Sequence, residues 1–207
     1  MLGLPGESLK LFLESVHRVI DLAPNFIRIY PLLVLAGSPL EKLYRQNLFS
    51  PISLEEAVQW AKRAMISLDR AQIPVIRMGI QSTPGLEQPG TILAGPFHPA
   101  FRSLVDSSLF FDMACLVLEA HENRECHEVR FRVSPGDVAS FNGERKGNLA
   151  RLRTVYGLEA IEVIQDPGIP RGTLLLENPA GPLSFSRREL FSALKYDCQN
   201  DVSILPS

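Results

Sequence analysis

Apolar positions fall at helical spacing in three stretches of this chain and in short extended runs between them. Leu9, Phe12, Leu13, Val16, Val19 and Ile20 share one face behind Ser8, which can cap a helix. Phe26 to Gly37 is a β-branched and aromatic run, punctuated by Tyr30-Pro31, and reads as a buried strand of a parallel sheet. A short helix over Leu40 to Gln46 follows. Ser53-Leu-Glu-Glu56 is a capping box, and Ala57, Val58, Ala61, Ala64, Met65 and Leu68 predict a helix from Leu54 to Ala71, with Trp60 packed at its edge. Ile73-Pro74 then leads into a strand from Val75 to Ile80. Strands alternating with helices predict an α/β fold with parallel pairing, because parallel strands need crossover connections.

Beyond that unit the pattern changes. Gln81 to Pro99 is rich in proline and glycine and reads as a long lid or binding loop, with one short extended piece at Ile92-Leu93-Ala94. Phe101 to about Glu122 is helical and apolar, and Asp106-Ser107-Ser108 is expected to break it in two. Glu128 to Val133 alternates charged and apolar residues, the signature of a half-exposed strand. There follow a short helix ending at Phe141, a charged loop, a helix from Leu149 to Tyr156 stopped by Gly157, and strands at Ile161–Gln165 and Thr173–Glu177. Residues 181–207, with Arg187-Arg188 in a short helix, read as a tail.

Composition narrows the class only a little. The chain has 207 residues, 45% hydrophobic and 21% charged, with a net charge of −2, so no overall basic field recruits nucleic acid. No apolar run is long enough to span a bilayer and no signal-peptide layout is present. Three cysteines, Cys115, Cys126 and Cys198, offer no even disulfide framework and suit a reducing compartment, so a cytoplasmic location is expected.

Candidate chemistry begins with two arginines. Arg28 and Arg77 are each the lone charge inside an apolar strand, one βαβ unit apart, and such residues can meet at one mouth of a sheet and hold a carboxylate. Two structural arginines, each paired with a nearby acid, would look the same in the sequence. Gly3, Gly6 and Ser8 lie in a loop that opens a helix, where backbone N–H groups can face an anion; a tight turn needs the same glycines. His98 is either an acid–base group or a packed ring. His121, Glu122, Glu125, Cys126, His127 and Glu128 have metal-ligand side chains, but no spacing that repeats, and no metal site is assigned. Arg145, Lys146, Arg151 and Arg153 form a local basic cluster.

Four pieces of sequence carry a family resemblance over roughly residues 1–100. They are the Gly3-Leu-Pro-Gly6 loop, Arg28-Ile-Tyr-Pro-Leu-Leu-Val34, Leu43-Tyr-Arg45 followed by Ser53-Leu-Glu-Glu56, and Ile76-Arg-Met-Gly-Ile80. Together they resemble the C-terminal half of a radical-SAM protein, similar to the Elongator catalytic subunit and to relatives described as oxygen-independent coproporphyrinogen oxidase-like. The resemblance implies half of a β/α barrel over residues 1–110, with Gly3, Gly6, Arg28, Tyr30 and Arg77 facing S-adenosylmethionine or substrate. It also implies a [4Fe–4S] cluster in the full-length protein and an oxidoreductase or tRNA-modifying activity. The family's cluster is held by a Cys-x-x-x-Cys-x-x-Cys loop, and the cysteines here are eleven and seventy-two positions apart, so this chain is expected to lack cluster chemistry alone. A fragment, a misplaced start and a remnant that has lost its chemistry all remain open. A half barrel would expose a sheet edge, giving either self-association or a missing N-terminal half as partner.

Residues 111–180 read as a helix followed by a degenerate KH-like α+β module, which resembles that nucleic-acid family through the strand–helix–loop–helix–strand–strand order of residues 128–177. Gly143-Glu-Arg-Lys146 ends in lysine where that family has the second glycine of its backbone clamp. A non-catalytic RNA-binding or interaction module is the alternative function, and a small α+β cap with a solvated loop is the plain structural alternative.

Overall fold

The computed structural model describes residues 1–120, 127–177, 181–187 and 189. Two compact units divide the chain, one containing Met1–Arg102 and the other Ser103–Lys195. The fold class is α/β with small parallel and mixed sheets, and the described strands close no barrel.

In the first unit, α1 (Leu9–Asp21) starts at Ser8, whose hydroxyl accepts from the Leu11 amide, and buries Phe12 and Val16. The apolar run behind it is not one strand. β1 (Ile27–Ile29) stops before Tyr30-Pro31, and the chain turns to make β2 (Val34–Leu35), which pairs antiparallel with β4 (Ile92–Ala94). Proline has no N–H to continue a ladder, so the run splits there. Between β1 and the next parallel strand lie α2 (Pro39–Arg45) and α3 (Leu54–Arg70). The Ser53–Glu56 capping box is present in both directions, and Trp60 stacks on Phe12 with ring centroids 5.8 Å apart.

β3 (Val75–Met78) pairs parallel with β1, and Leu2 bridges in parallel to Pro31 on the opposite side of that strand. Three extended segments therefore run side by side with a helical crossover between the first two and another between the last two, as the alternation predicts. Both outer edges of this arrangement are met by charged side chains. Glu7 accepts from the Gly3 amide at 2.8 Å, and Arg102 donates to the Val75 carbonyl at 2.9 Å. Gly79 ends β3 at φ +81°, where a Cβ would stand 2.6 Å from that of Phe101. Only glycine fits that approach.

α4 (Phe101–Glu119) is continuous, against the expected break at Asp106-Ser107-Ser108. Its polar residues have partners: Asp106 meets Arg187, and Ser107 accepts from Asn148 through its carbonyl and hydroxyl oxygens. In the second unit β5 (Glu128–Val133), α5 (Val138–Asn142), α6 (Gly147–Tyr156), β6 (Ala160–Gln165), β7 (Thr173–Leu176) and β8 (Leu183–Ser186) follow. The sheet order is β6-β5-β7-β8, with β5 parallel to β6 and antiparallel to β7. Residues 183–186 are a fourth strand of this sheet, so the tail reading does not hold for them.

Alternation along β5 sends Val129, Phe131 and Val133 inward and Arg130 and Arg132 outward. Phe131 and Phe141 meet with centroids 5.1 Å apart, and Phe110 meets Phe141 edge-on at 6.3 Å. These rings make the core of the unit.

Candidate functional site

The two strand arginines come together. Arg28 is the register partner of Arg77 across the β1–β3 pair, and Ile29 is the partner of Met78. Ile29 and Met78 are buried while Arg28 and Arg77 are exposed, so the guanidinium groups stand on the face opposite the core, one strand spacing of about 4.8 Å apart at the backbone. A bulge brings this about. Ile27 pairs with Val75 and Arg28 with Arg77, so Ile76 is the extra residue and points into solvent. Tyr30 lies two residues beyond Arg28, on the same face by alternation and about 7 Å along. Among the described residues, the side chains of Arg28, Tyr30 and Arg77 have no hydrogen-bond or ion-pair partner.

That state contrasts with the strand arginines of the other sheet. Arg130 donates to Glu162 at 2.6 Å and to Glu177 at 3.2 Å. Arg132 donates to Glu177 at 2.6 Å and to Asp166 at 3.1 Å. The hydrogen bond from Arg132 leads in holding Glu177 below the ordinary carboxylate range, and the Gly168 amide, followed by Arg132, does the same for Asp166. Like charges directly opposite one another across a strand pair are unfavourable, and the second unit avoids them with three carboxylates. The first unit does not.

The loop that opens α1 sits one row further on, at the level of Pro31 and Leu32. The Leu2 N–H donates to the Tyr30 carbonyl at 3.0 Å, and the Leu32 N–H donates to the Leu2 carbonyl at 2.9 Å. Gly3 and Gly6 both have positive φ, +82° and +75°. The loop does bind a carboxylate, namely its own: Glu7 accepts from the amides of Gly3 and Leu4 at 2.8 and 3.1 Å. A Cβ at Gly3 would touch Ile52 at 3.2 Å, whereas nothing lies within 4 Å of one at Gly6. His98 accepts from the Ala100 amide through Nδ1 at 3.1 Å, which puts the proton of its neutral ring on Nε2.

The basic residues of the second unit are less unified than their spacing in the sequence suggests. Arg145 and Lys146 are exposed in consecutive left-handed backbone conformations, at φ +50° and +61°. Arg151 lies over the Phe111 ring with its guanidinium carbon 4.0 Å from the centroid. Arg153 follows about 200° further round α6, on another side. Asn148 holds this loop. Its Nδ2, in a residue 6% exposed, donates toward the carbonyls of Ser107, Phe141 and Ser140 and the Ser107 hydroxyl at 2.9, 3.0, 3.4 and 3.1 Å. Sequence reasoning missed Asn148, and its only signal was an amide residue at the start of a helix.

A [4Fe–4S] cluster needs thiolates, and the described residues do not fit one. Cys115 is buried, and burial pushes its thiol up to about 11. Among the described residues no group of three His, Cys, Asp or Glu side chains could hold a metal ion. The metal-ligand types at 121–126 and Cys198 lie outside the described residues. No described helix is long and apolar enough to cross a membrane.

Residues 24–110 match the family model of the radical-SAM C-terminal domain. The match spans less than half of the chain and supports a radical-SAM C-terminal region there. It takes in Arg28, Tyr30 and Arg77 and leaves out Gly3, Gly6 and the basic loop of the second unit. Neither the curated proteins nor the solved structures contain a match to this chain.

Proposed function

We propose that this chain is the C-terminal part of a radical-SAM enzyme of the Elongator-like or coproporphyrinogen oxidase-like kind, and that it supplies the ligand-facing strands of a half barrel. One observation carries the reading: within the matched region, Arg28 and Arg77 stand in register on one exposed face of a parallel strand pair. Gly3, Gly6 and Tyr30 complete the ligand-facing end. The donor set of the loop fits a carboxylate, since its two amides already hold that of Glu7. The Gly3 and Leu4 amides, which hold Glu7 here, would hold the carboxylate of S-adenosylmethionine in its place. The chain's three cysteines do not form the family's cluster loop, so cluster chemistry would come from a partner segment, and the chain alone has no radical activity.

The test is a titration of S-adenosylmethionine into the full chain, followed by amide chemical shifts. Shifts at Gly3, Leu4 and Gly6, enlarged in Glu7→Gln, are the expected result. Unchanged amides at millimolar ligand refute the reading.

A second reading, RNA binding through a KH-like module, is favoured by the exposed Arg145 and Lys146 in a loop anchored by Asn148. Against it, the loop has Lys146 where that module has the second glycine of its clamp, and the outward arginines of β5 are paired. Arg145→Ala with Lys146→Ala should lower salt-dependent RNA affinity if this reading holds.

A further inference from the structure

We infer that Arg28 and Arg77 together form a binding site for a phosphate monoester, a group of the substrate rather than of S-adenosylmethionine. The inference rests on the ligand-facing reading of this strand face and narrows what the face receives.

The argument starts from charge. Two arginines are register partners on one exposed face, and neither guanidinium has a hydrogen-bond or ion-pair partner among the described residues. Elsewhere this protein gives strand arginines carboxylates on neighbouring strands or just past their ends. An uncompensated pair of like charges favours a ligand with more than one negative charge. S-adenosylmethionine carries a sulfonium and an ammonium beside one carboxylate and is a net cation, a poor match to two cations.

Geometry selects among anions. A guanidinium presents two parallel N–H groups to two oxygens, so one carboxylate saturates one arginine. To engage two forks from adjacent strands at once, a group needs at least three terminal oxygens. A phosphate monoester has three, and carries nearly two negative charges above its second pKa, near 6. Tyr30, on the same face and about 7 Å along, has a hydroxyl without a partner among the described residues and stands ready for the remaining oxygen or the ester group. The bulge at Ile76 is what aims Arg77 at this face.

The experiment uses the full chain, with methyl phosphate, acetate and S-adenosylmethionine as separate probes, read by calorimetry and by the arginine Nε signals. Methyl phosphate should bind with shifts at Arg28 and Arg77, more tightly at pH 8 than at pH 5, and acetate much more weakly. Arg28→Gln and Arg77→Gln should each weaken methyl phosphate about ten- to hundredfold. Arg77→Lys, which keeps the charge and loses the fork, should fall between. Because each variant removes a like-charge neighbour, its ligand-free unfolding temperature should equal or exceed that of the unsubstituted chain, whereas a structural role would lower it. Methyl phosphate binding that is absent, or indifferent to both glutamines, overturns the inference. So does S-adenosylmethionine binding that either glutamine abolishes. Phosphate bound at the arginines without any S-adenosylmethionine response at Gly3 and Gly6 sustains this site while removing the radical-SAM reading; the converse pattern does the reverse.

Discussion

Replacing Asn148 by aspartate exchanges one NH2 group for oxygen and changes almost nothing in shape. The Nδ2 it replaces faces four oxygens between 2.9 and 3.4 Å, three of them backbone carbonyls. Two of those, at Ser140 and Phe141, belong to the last turn of α5, where carbonyls have no helical partner. Asn148→Ala removes two hydrogen-bonding protons and leaves a small void, at a cost of about 2–3 kcal/mol. Asn148→Asp sets a buried carboxylate oxygen against those acceptors, at a cost of about 3–5 kcal/mol at neutral pH. Protonation returns one donor. The carboxyl of the variant is therefore raised above its unfolded value, so its penalty is smallest at low pH and grows as pH climbs through the folded pKa. Urea unfolding followed by circular dichroism at pH 5 and pH 8 should show the deficit of Asn148→Asp shrinking on acidification, while that of Asn148→Ala stays constant. A deficit of the aspartate variant that does not depend on pH, or is smaller than that of alanine, would show that the amide is not held as described.

Three other outcomes follow from the same structure. Gly79→Ala forces a Cβ to 2.6 Å from Phe101 at a positive φ, and should cost about 2–4 kcal/mol in thermal denaturation, against about 1 kcal/mol for Gly6→Ala, where space is open and only the positive φ is strained. Ser53→Ala removes a capping box and should cost about 1 kcal/mol, with α3 amides exchanging faster. Asp166 and Glu177 both have carboxyls held below their ordinary range, so their contribution is full above the unfolded carboxylate pKa and is lost as pH falls below it; Arg132→Gln should flatten that acid limb of the stability curve.

Several elements were legible because a local rule decided them. The alternation of Glu128–Val133 reproduces β5 to the residue, and the Ser53 box places the start of α3. β8 was not legible, since Leu-Ser-Phe-Ser has little β-branching and owes its state to pairing with β7. The Phe26–Gly37 run was read as one strand because its hydrophobicity is continuous, while the missing proline N–H and the competing partner at Ile92–Ala94 divide it. At the candidate site, the identities of Arg28 and Arg77 could be picked out as lone charges in apolar strands. Their register could not, because it turns on a bulge, a relation between two strands that neither segment encodes. The Glu7 carboxylate in the glycine loop is illegible for a similar reason, because its hold on the Gly3 and Leu4 amides depends on the folded turn and not on residue type.

The extra residue in β3 works as a parity switch. Were Ile76 paired rather than bulged, Arg28 would lie opposite Ile76 and Ile29 opposite Arg77, so the second guanidinium would be driven into the space Met78 occupies, with Ile29. Drawing Ile76 into the ladder would bury a cation and abolish the doubled charge in one stroke, whereas deleting Ile76 would leave Arg28 opposite Arg77 in a regular pair. Whatever this surface recognises is thus specified by an odd-or-even count in the backbone as much as by the chemistry of its side chains.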